Sequence, residues 1–350
     1  MLRTVNKLHR GAMRKFIAIL LCSSLSLSAF AEDADVFSQP KSESAQKNNF
    51  FFVPALEAFF SPSADVGTNS PDGLANVTPK QQDDELANAV FQLTSVPKLQ
   101  SAIALIYDEQ AHRPLYTKNA ENIAPIASIT KLMTAMVILD AKLPMDEKIT
   151  ICNDDADHRK GTHSRMRSGL TLTRGELLKL ALMASENRAA AALARTYPGG
   201  MDAAVARMNA KAQELGMHST RFFDPTGLNS NNVSTAQDLV LMVRAAQYYE
   251  PIHQFTTSAS HVVQLAKHRP LRFGNTNPLV KNASWDIGVS KTGYISEAGR
   301  CLVMKATISK RPVIIVLLDS WGKRTRVGDA NRIKKWMESA SVPGVRSGRG

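Results

Sequence analysis

The chain has 350 residues, 44% of them hydrophobic and 21% charged, with a formal charge of +12. That suffices for one large core or two moderate ones, and the composition is ordinary for a soluble globular protein. No apolar run long enough to span a membrane occurs beyond the N-terminus, and no Arg/Lys block interleaved with aromatics argues for nucleic acid.

The first residues read as an export signal. Arg3, Lys7, Arg10, Arg14 and Lys15 form a basic start, Phe16 to Leu21 is apolar, and Ala29-Phe30-Ala31 offers a cleavage site after Ala31. Cys22 would allow lipid attachment, but Leu21 before it is bulkier than that processing usually accepts. Loss of residues 1–31 lowers the formal charge to roughly +7, which suits a polyanionic wall or membrane surface.

Residues 32–82 read as a polar tether carrying a Phe-rich patch, Phe50–Phe60. That patch is expected either to touch a membrane or partner protein or to fold back on the domain that follows. The folded domain is expected over 83–340, with a flexible tail at 341–350.

The domain is read as a helix at Asp84–Leu93, then paired strands at Ser101–Tyr107 and Pro114–Thr117 turned by Asp108-Glu109-Gln110. An amphipathic helix runs from Ser128 to Lys142, stopped by Pro144. Thr173 and Glu176 make a capping box for a helix at Arg174–Ala184, and Gly216 ends another at Met201–Leu215. Thr235 and Asp238 start a further helix that Pro251 closes. Three strands follow, Ile287–Thr292, Arg300–Ser309 and Val313–Leu318, the last two joined by Lys310-Arg311-Pro312. A helix at Arg326–Ser339 ends the domain. Strands at both ends with helices between imply an α+β fold, one sheet built from both termini around a mostly helical insertion.

A serine hydroxyl is a poor nucleophile at neutral pH and needs a base beside it. Ser128-Ile129-Thr130-Lys131 places a serine and a lysine on one helix face, and the lysine can act as base if burial or a neighbouring cation lowers its pKa. The same spacing recurs at Ser44-Lys47, Ser95-Lys98 and Ser320-Lys323, but only Ser128 opens a long helix. Ser185-Glu186-Asn187 falls between two helices, where a hydroxyl can relay a proton and an amide can hold a peptide backbone. Lys291-Thr292-Gly293 ends a strand whose edge can pair with an extended peptide, with Gly293 permitting close approach. Asp154, Asp155, Asp157, His158 and His163 read as a charged loop rather than a metal site. Cys152 and Cys301 match no zinc pattern; an oxidising compartment permits a bridge between them, although isolated cysteines are more often free thiols. No cofactor is expected.

The set S-x-x-K, S-x-N and K-T-G resembles the signature of the penicillin-binding proteins and class A β-lactamases. Pro125 to Ala135, Leu182 to Ala190, Tyr197 to Gly200, Asp224 to Leu228 and Lys291 to Tyr294 bring the resemblance to the low-mass serine D-alanyl-D-alanine peptidases, over about residues 95–340. The resemblance implies that Ser128 is acylated, Lys131 takes its proton, and Ser185 passes it to the leaving amine. It implies too that Asn187 binds the substrate amide, Lys291 and Thr292 hold polarity and carboxylate, and the N–H groups of Ser128 and Tyr294 form the oxyanion hole. No motif fixes Arg326, which would face the substrate carboxylate. About 57 residues follow Gly293, so the extra C-terminal domain and anchor of many carboxypeptidase relatives are not expected.

The expected activity is a periplasmic endopeptidase cutting D-Ala-to-diaminopimelate cross-links of peptidoglycan, with a carboxypeptidase of the same chemistry as alternative. No E-x-x-L-N segment precedes the K-T-G element, so penicillin is expected to acylate Ser128 and stay. A wall-binding protein without activity is the reading from another class.

Overall fold

The computed structural model describes residues 96–265 and 268–340. The export segment, the tether with Phe50–Phe60, the helix expected at Asp84–Leu93 and the 341–350 tail lie outside them.

Five antiparallel strands form the central sheet: β1 (Ile103–Asp108), β2 (Arg113–Lys118), β9 (Asp286–Ile295), β10 (Gly299–Ile308) and β11 (Arg311–Ser320), in the order β2-β1-β11-β10-β9. β1 sits beside the last strand, with Ile103 opposite Leu318 and Asp108 opposite Val313. The sheet is therefore assembled from both ends of the domain, as the strand pattern predicts. β1, β10 and β11 are apolar on both faces because both are covered. Ile103, Leu105, Val303, Val316 and Leu318 pack into the larger core with the helices, and Ala104, Ile106, Leu302, Ile315 and Leu317 into a second core. The second core is closed by Ile333, Trp336 and Met337 of the final helix, Thr325–Ala340.

Between β2 and β9 lies the mostly helical insertion. α1 (Thr130–Asp140) runs through its middle and is buried on every side from Thr130 to Ile138, rather than along one stripe as the amphipathic reading predicts. Its two threonines are tolerated there because each has a partner. Thr134 donates to the Pro225 carbonyl at 2.7 Å, and Thr130 Oγ1 accepts from Asn232 Nδ2 at 3.1 Å. Around it pack α2 (Arg174–Met183), α3 (Asn187–Arg195), α4 (Gly200–Glu214), α5 (Ala236–Ala246) and α6 (Glu250–Thr256). The Thr173–Glu176 capping box forms as read. Gly216, at φ +76°, follows the end of α4.

Three details differ from the sequence reading. Pro251 does not merely close a helix; α5 ends at Ala246, and Pro251 sits in the first turn of α6, where its missing N–H costs nothing. The β10–β11 turn is Ser309-Lys310, both with positive φ, so Arg311 and Pro312 already belong to the strand. Short pairs β3 (Ala124–Pro125) with β6 (Val233–Ser234), β4 (Lys148–Thr150) with β5 (Thr171–Thr173), and the hairpin β7 (Ser260–Leu265) with β8 (His268–Gly274) were not anticipated.

Candidate active site

Ser128 lies not in α1 but in the 3-10 turn Ala127–Ile129 that leads into it. Ala127 takes φ +46°, a left-handed conformation costing a non-glycine residue about 1–3 kcal/mol, and swings the serine out ahead of the helix. Lys131, one turn on, reaches back so that Nζ is 2.8 Å from Ser128 Oγ. The lysine is only 1% exposed. Its Nζ also donates to Asn187 Oδ1 at 2.7 Å and to the Thr226 carbonyl at 2.6 Å. Burial lowers Lys131 to about 7, against the opposing charges of Asp224 and Glu186. Of the two causes the sequence allows, burial is the one that acts here.

A second lysine–serine pair faces the first. Ser185, at φ +59°, follows α2, and Asn187 opens α3, so the kink between the helices presents both side chains to one side. Lys291, inward on β9, donates to Ser185 Oγ at 2.8 Å and to the Thr292 carbonyl at 2.8 Å. Burial pushes Lys291 well below its usual value, and the charges of Lys131 and Arg326 push the same way. Thr292 Oγ1 donates to Thr276 Oγ1 at 2.7 Å.

The triangle is closed by β9, the edge strand of the sheet. A Cβ on Gly293 would stand 2.8 Å from the Ile126 carbonyl oxygen and 3.2 Å from Ser128 N, so only glycine lets the strand lie so near the serine turn. Tyr294, next along, is 57% exposed, with the Arg300 guanidinium 4.4 Å from its ring centre. All eight residues that the motifs single out thus lie at one locus. Arg326 joins them from the start of the final helix: Nη1 approaches the Gly293 carbonyl at 3.4 Å, while Nε is buried with no partner among the described residues.

Two contributors carried no assigned role at the level of sequence. One is the Thr226 carbonyl, for which any residue would serve chemically; its signal was the Asp224-Pro225-Thr226-Gly227 turn. The Asp224 carboxylate organises that turn, accepting from the amides of Thr226, Gly227 and Asn229 at 2.6 Å each. The other is Gly227, at φ +80°, where a Cβ would fall 1.9 Å from the Ala127 carbonyl oxygen. Gly227→Ala is accordingly expected to slow acylation by penicillin about a hundredfold and to destabilise the fold by up to about 3 kcal/mol. Rapid-mixing acylation kinetics and thermal denaturation check this; wild-type values in both would contradict the packing described.

The loop at 154–164 borders the site. Its residues 154–159, with Asn187, Met201, Phe223 and Thr226, line a cleft of about 570 Å³. Its Lys160 pairs with Glu297 in the turn after β9. Cys152 and Cys301 are not joined, and burial raises the Cys301 thiol to about 12. No helix among the described residues is long and apolar enough to cross a membrane.

Comparison with known proteins gives concordant findings. A family described as D-alanyl-D-alanine carboxypeptidase matches residues 91–322. The chain is 47% identical over 249 residues to a D-alanyl-D-alanine endopeptidase of Pseudomonas aeruginosa, covering 71% of this chain and 80% of that one. It is 45% identical over 255 residues to a D-alanyl-D-alanine endopeptidase of Escherichia coli, covering 73% and 82%. The fold matches the crystal structure of the Streptomyces K15 DD-transpeptidase at TM-score 0.64 and 28% identity, over 69% of this chain and 98% of that one.

Proposed function

The chain belongs to the D-alanyl-D-alanine carboxypeptidase family of serine peptidases, and on that premise we propose that it is an endopeptidase opening D-Ala-to-diaminopimelate cross-links of peptidoglycan through an acyl-enzyme on Ser128. Its basic, apolar leader ending at Ala31 supports action in the periplasm.

The observation that carries the mechanism is the set of partners at Lys131. A neutral amine has two N–H donors and one lone pair. Thr226 O and Asn187 Oδ1 can only accept, so they take both N–H groups. The lone pair is left for the Ser128 hydroxyl, which can then give up its proton as Oγ attacks the D-Ala carbonyl carbon. Oxygen charge develops towards the N–H groups of Ser128 and Tyr294, each worth about 3 kcal/mol in comparable sites. Collapse breaks the C–N bond, and the proton moves to the leaving amine through Ser185, which Lys291 holds. Water then hydrolyses the ester. The Arg326 guanidinium, whose Nη1 approaches the Gly293 carbonyl on the edge strand, would meet the substrate carboxylate together with Thr292.

Endopeptidase is favoured over carboxypeptidase because the relatives at 45% and 47% identity are named as endopeptidases. Digestion of purified cross-linked muropeptides separates the two. Dimers should become monomers without release of free D-Ala; free D-Ala with dimers intact would select the carboxypeptidase. In the same preparation penicillin should leave a lasting adduct, because the Asp224 carboxylate is engaged within its own turn and is not offered to a deacylating water.

A further inference from the structure

The amide of Asn187 could face Lys131 in either of two orientations, and only one of them leaves the lysine lone pair for Ser128. Its Nδ2 donates to Thr162 Oγ1 at 3.0 Å, and the Thr162 hydroxyl donates to Asp157 Oδ2 at 2.7 Å. The carboxylate is itself fixed, accepting from the amides of Arg159 (2.8 Å), Lys160 (2.9 Å) and Thr162 (2.8 Å). Burial works to raise Asp157, but the hydrogen bonds from Thr162, Lys160 and Arg159 prevail and hold it at about 2.

We propose that Thr162, oriented by Asp157, is a positioning residue that locks the Asn187 amide with its oxygen towards Lys131. Because an ionised carboxylate only accepts, the single hydroxyl proton of Thr162 is committed to Asp157, and Thr162 Oγ1 can only accept from Asn187. The amide must therefore turn its NH2 to Thr162 and its oxygen to Lys131. Were it reversed, the NH2 would claim the lysine lone pair, and Ser128 would lose its base. Reversal would also remove an acceptor that favours the ammonium form, moving Lys131 further down; Asp224, Glu186 and Lys291, the other charged groups at this lysine, would be unchanged.

The inference rests on Ser128 and Lys131 being the acylating pair, which loss of penicillin acylation in Ser128→Ala and Lys131→Met tests separately in the same assay. Thr162→Val should acylate about tenfold more slowly on its alkaline plateau, the equivalent of one net hydrogen bond. Its acid limb should move to lower pH, and Thr162→Ser should restore both rate and limb. Matched melting temperatures control for loop packing. A Thr162→Val enzyme with wild-type rate and limb would overturn the proposal. So would equal losses in the Val and Ser variants, which would assign the effect to the loop and not to the hydroxyl.

Discussion

Ser128→Ala is expected to carry no penicillin adduct by mass spectrometry and to cleave cross-linked muropeptides at least about 10⁴-fold more slowly, while folding normally. The loss should be this large because, among the described residues, no other hydroxyl bonds to Lys131. Ser185, the other serine at the locus, is held by Lys291 and not by Lys131. The fold should survive because the change removes one oxygen from a half-buried turn, and the partner it leaves, Lys131 Nζ, keeps two acceptors. An adduct on the alanine variant would place the chemistry elsewhere. Wild-type protein that takes no adduct would point instead to a wall-binding protein that keeps the fold alone.

Lys131→Met should lower acylation about 10³-fold, within the range that a positioned general base contributes. Methionine keeps length and apolar volume but offers neither lone pair nor donor, leaving the Thr226 carbonyl and Asn187 Oδ1 unpaired. A stability loss of about 1–3 kcal/mol per group accompanies that. Lys131→Arg separates base from charge: a guanidinium donates but does not deprotonate, so it should be as inactive as methionine. The wild-type rate should rise with pH up to about 7 and level off above it. Below that value the amine is protonated and its lone pair is gone; above it the pair is free. A methionine variant with that same limb and an unreduced rate would remove Lys131 from the mechanism.

Much of this site was legible in the sequence because its side chains are chemically distinctive and arrive as short local motifs. Ser128 with Lys131, Ser185 with Asn187, and Lys291 with Thr292 and Gly293 each come from one turn or one strand. The sheet was legible for a related reason: β10 and β11 are long, largely apolar runs joined by a short turn. Main-chain chemistry and loop geometry carry no such signature. The Thr226 carbonyl acts through an atom every residue has, so no residue type announces it. Asp157 and Thr162 gain meaning only when the 154–164 loop curls back on Asn187; from composition Asp157 reads as part of a charged loop, and an uncharged threonine beside it carries no signal. Strands as short as Ala124–Pro125 have no period to detect. The left-handed pair Ser309-Lys310 lacks the glycine or asparagine that usually marks such a turn.

The interleaving of the sheet has a bearing on biogenesis. β11 lies between β1 and β10, so the first strand of the domain waits for nearly the last before it has a neighbour on that side. The serine turn likewise waits for β9 to close over it at Gly293. Such distant pairings make for slow closure. A nascent chain therefore holds its nucleophile and base before β9 and β11 exist, and the site is assembled only once those strands are in place.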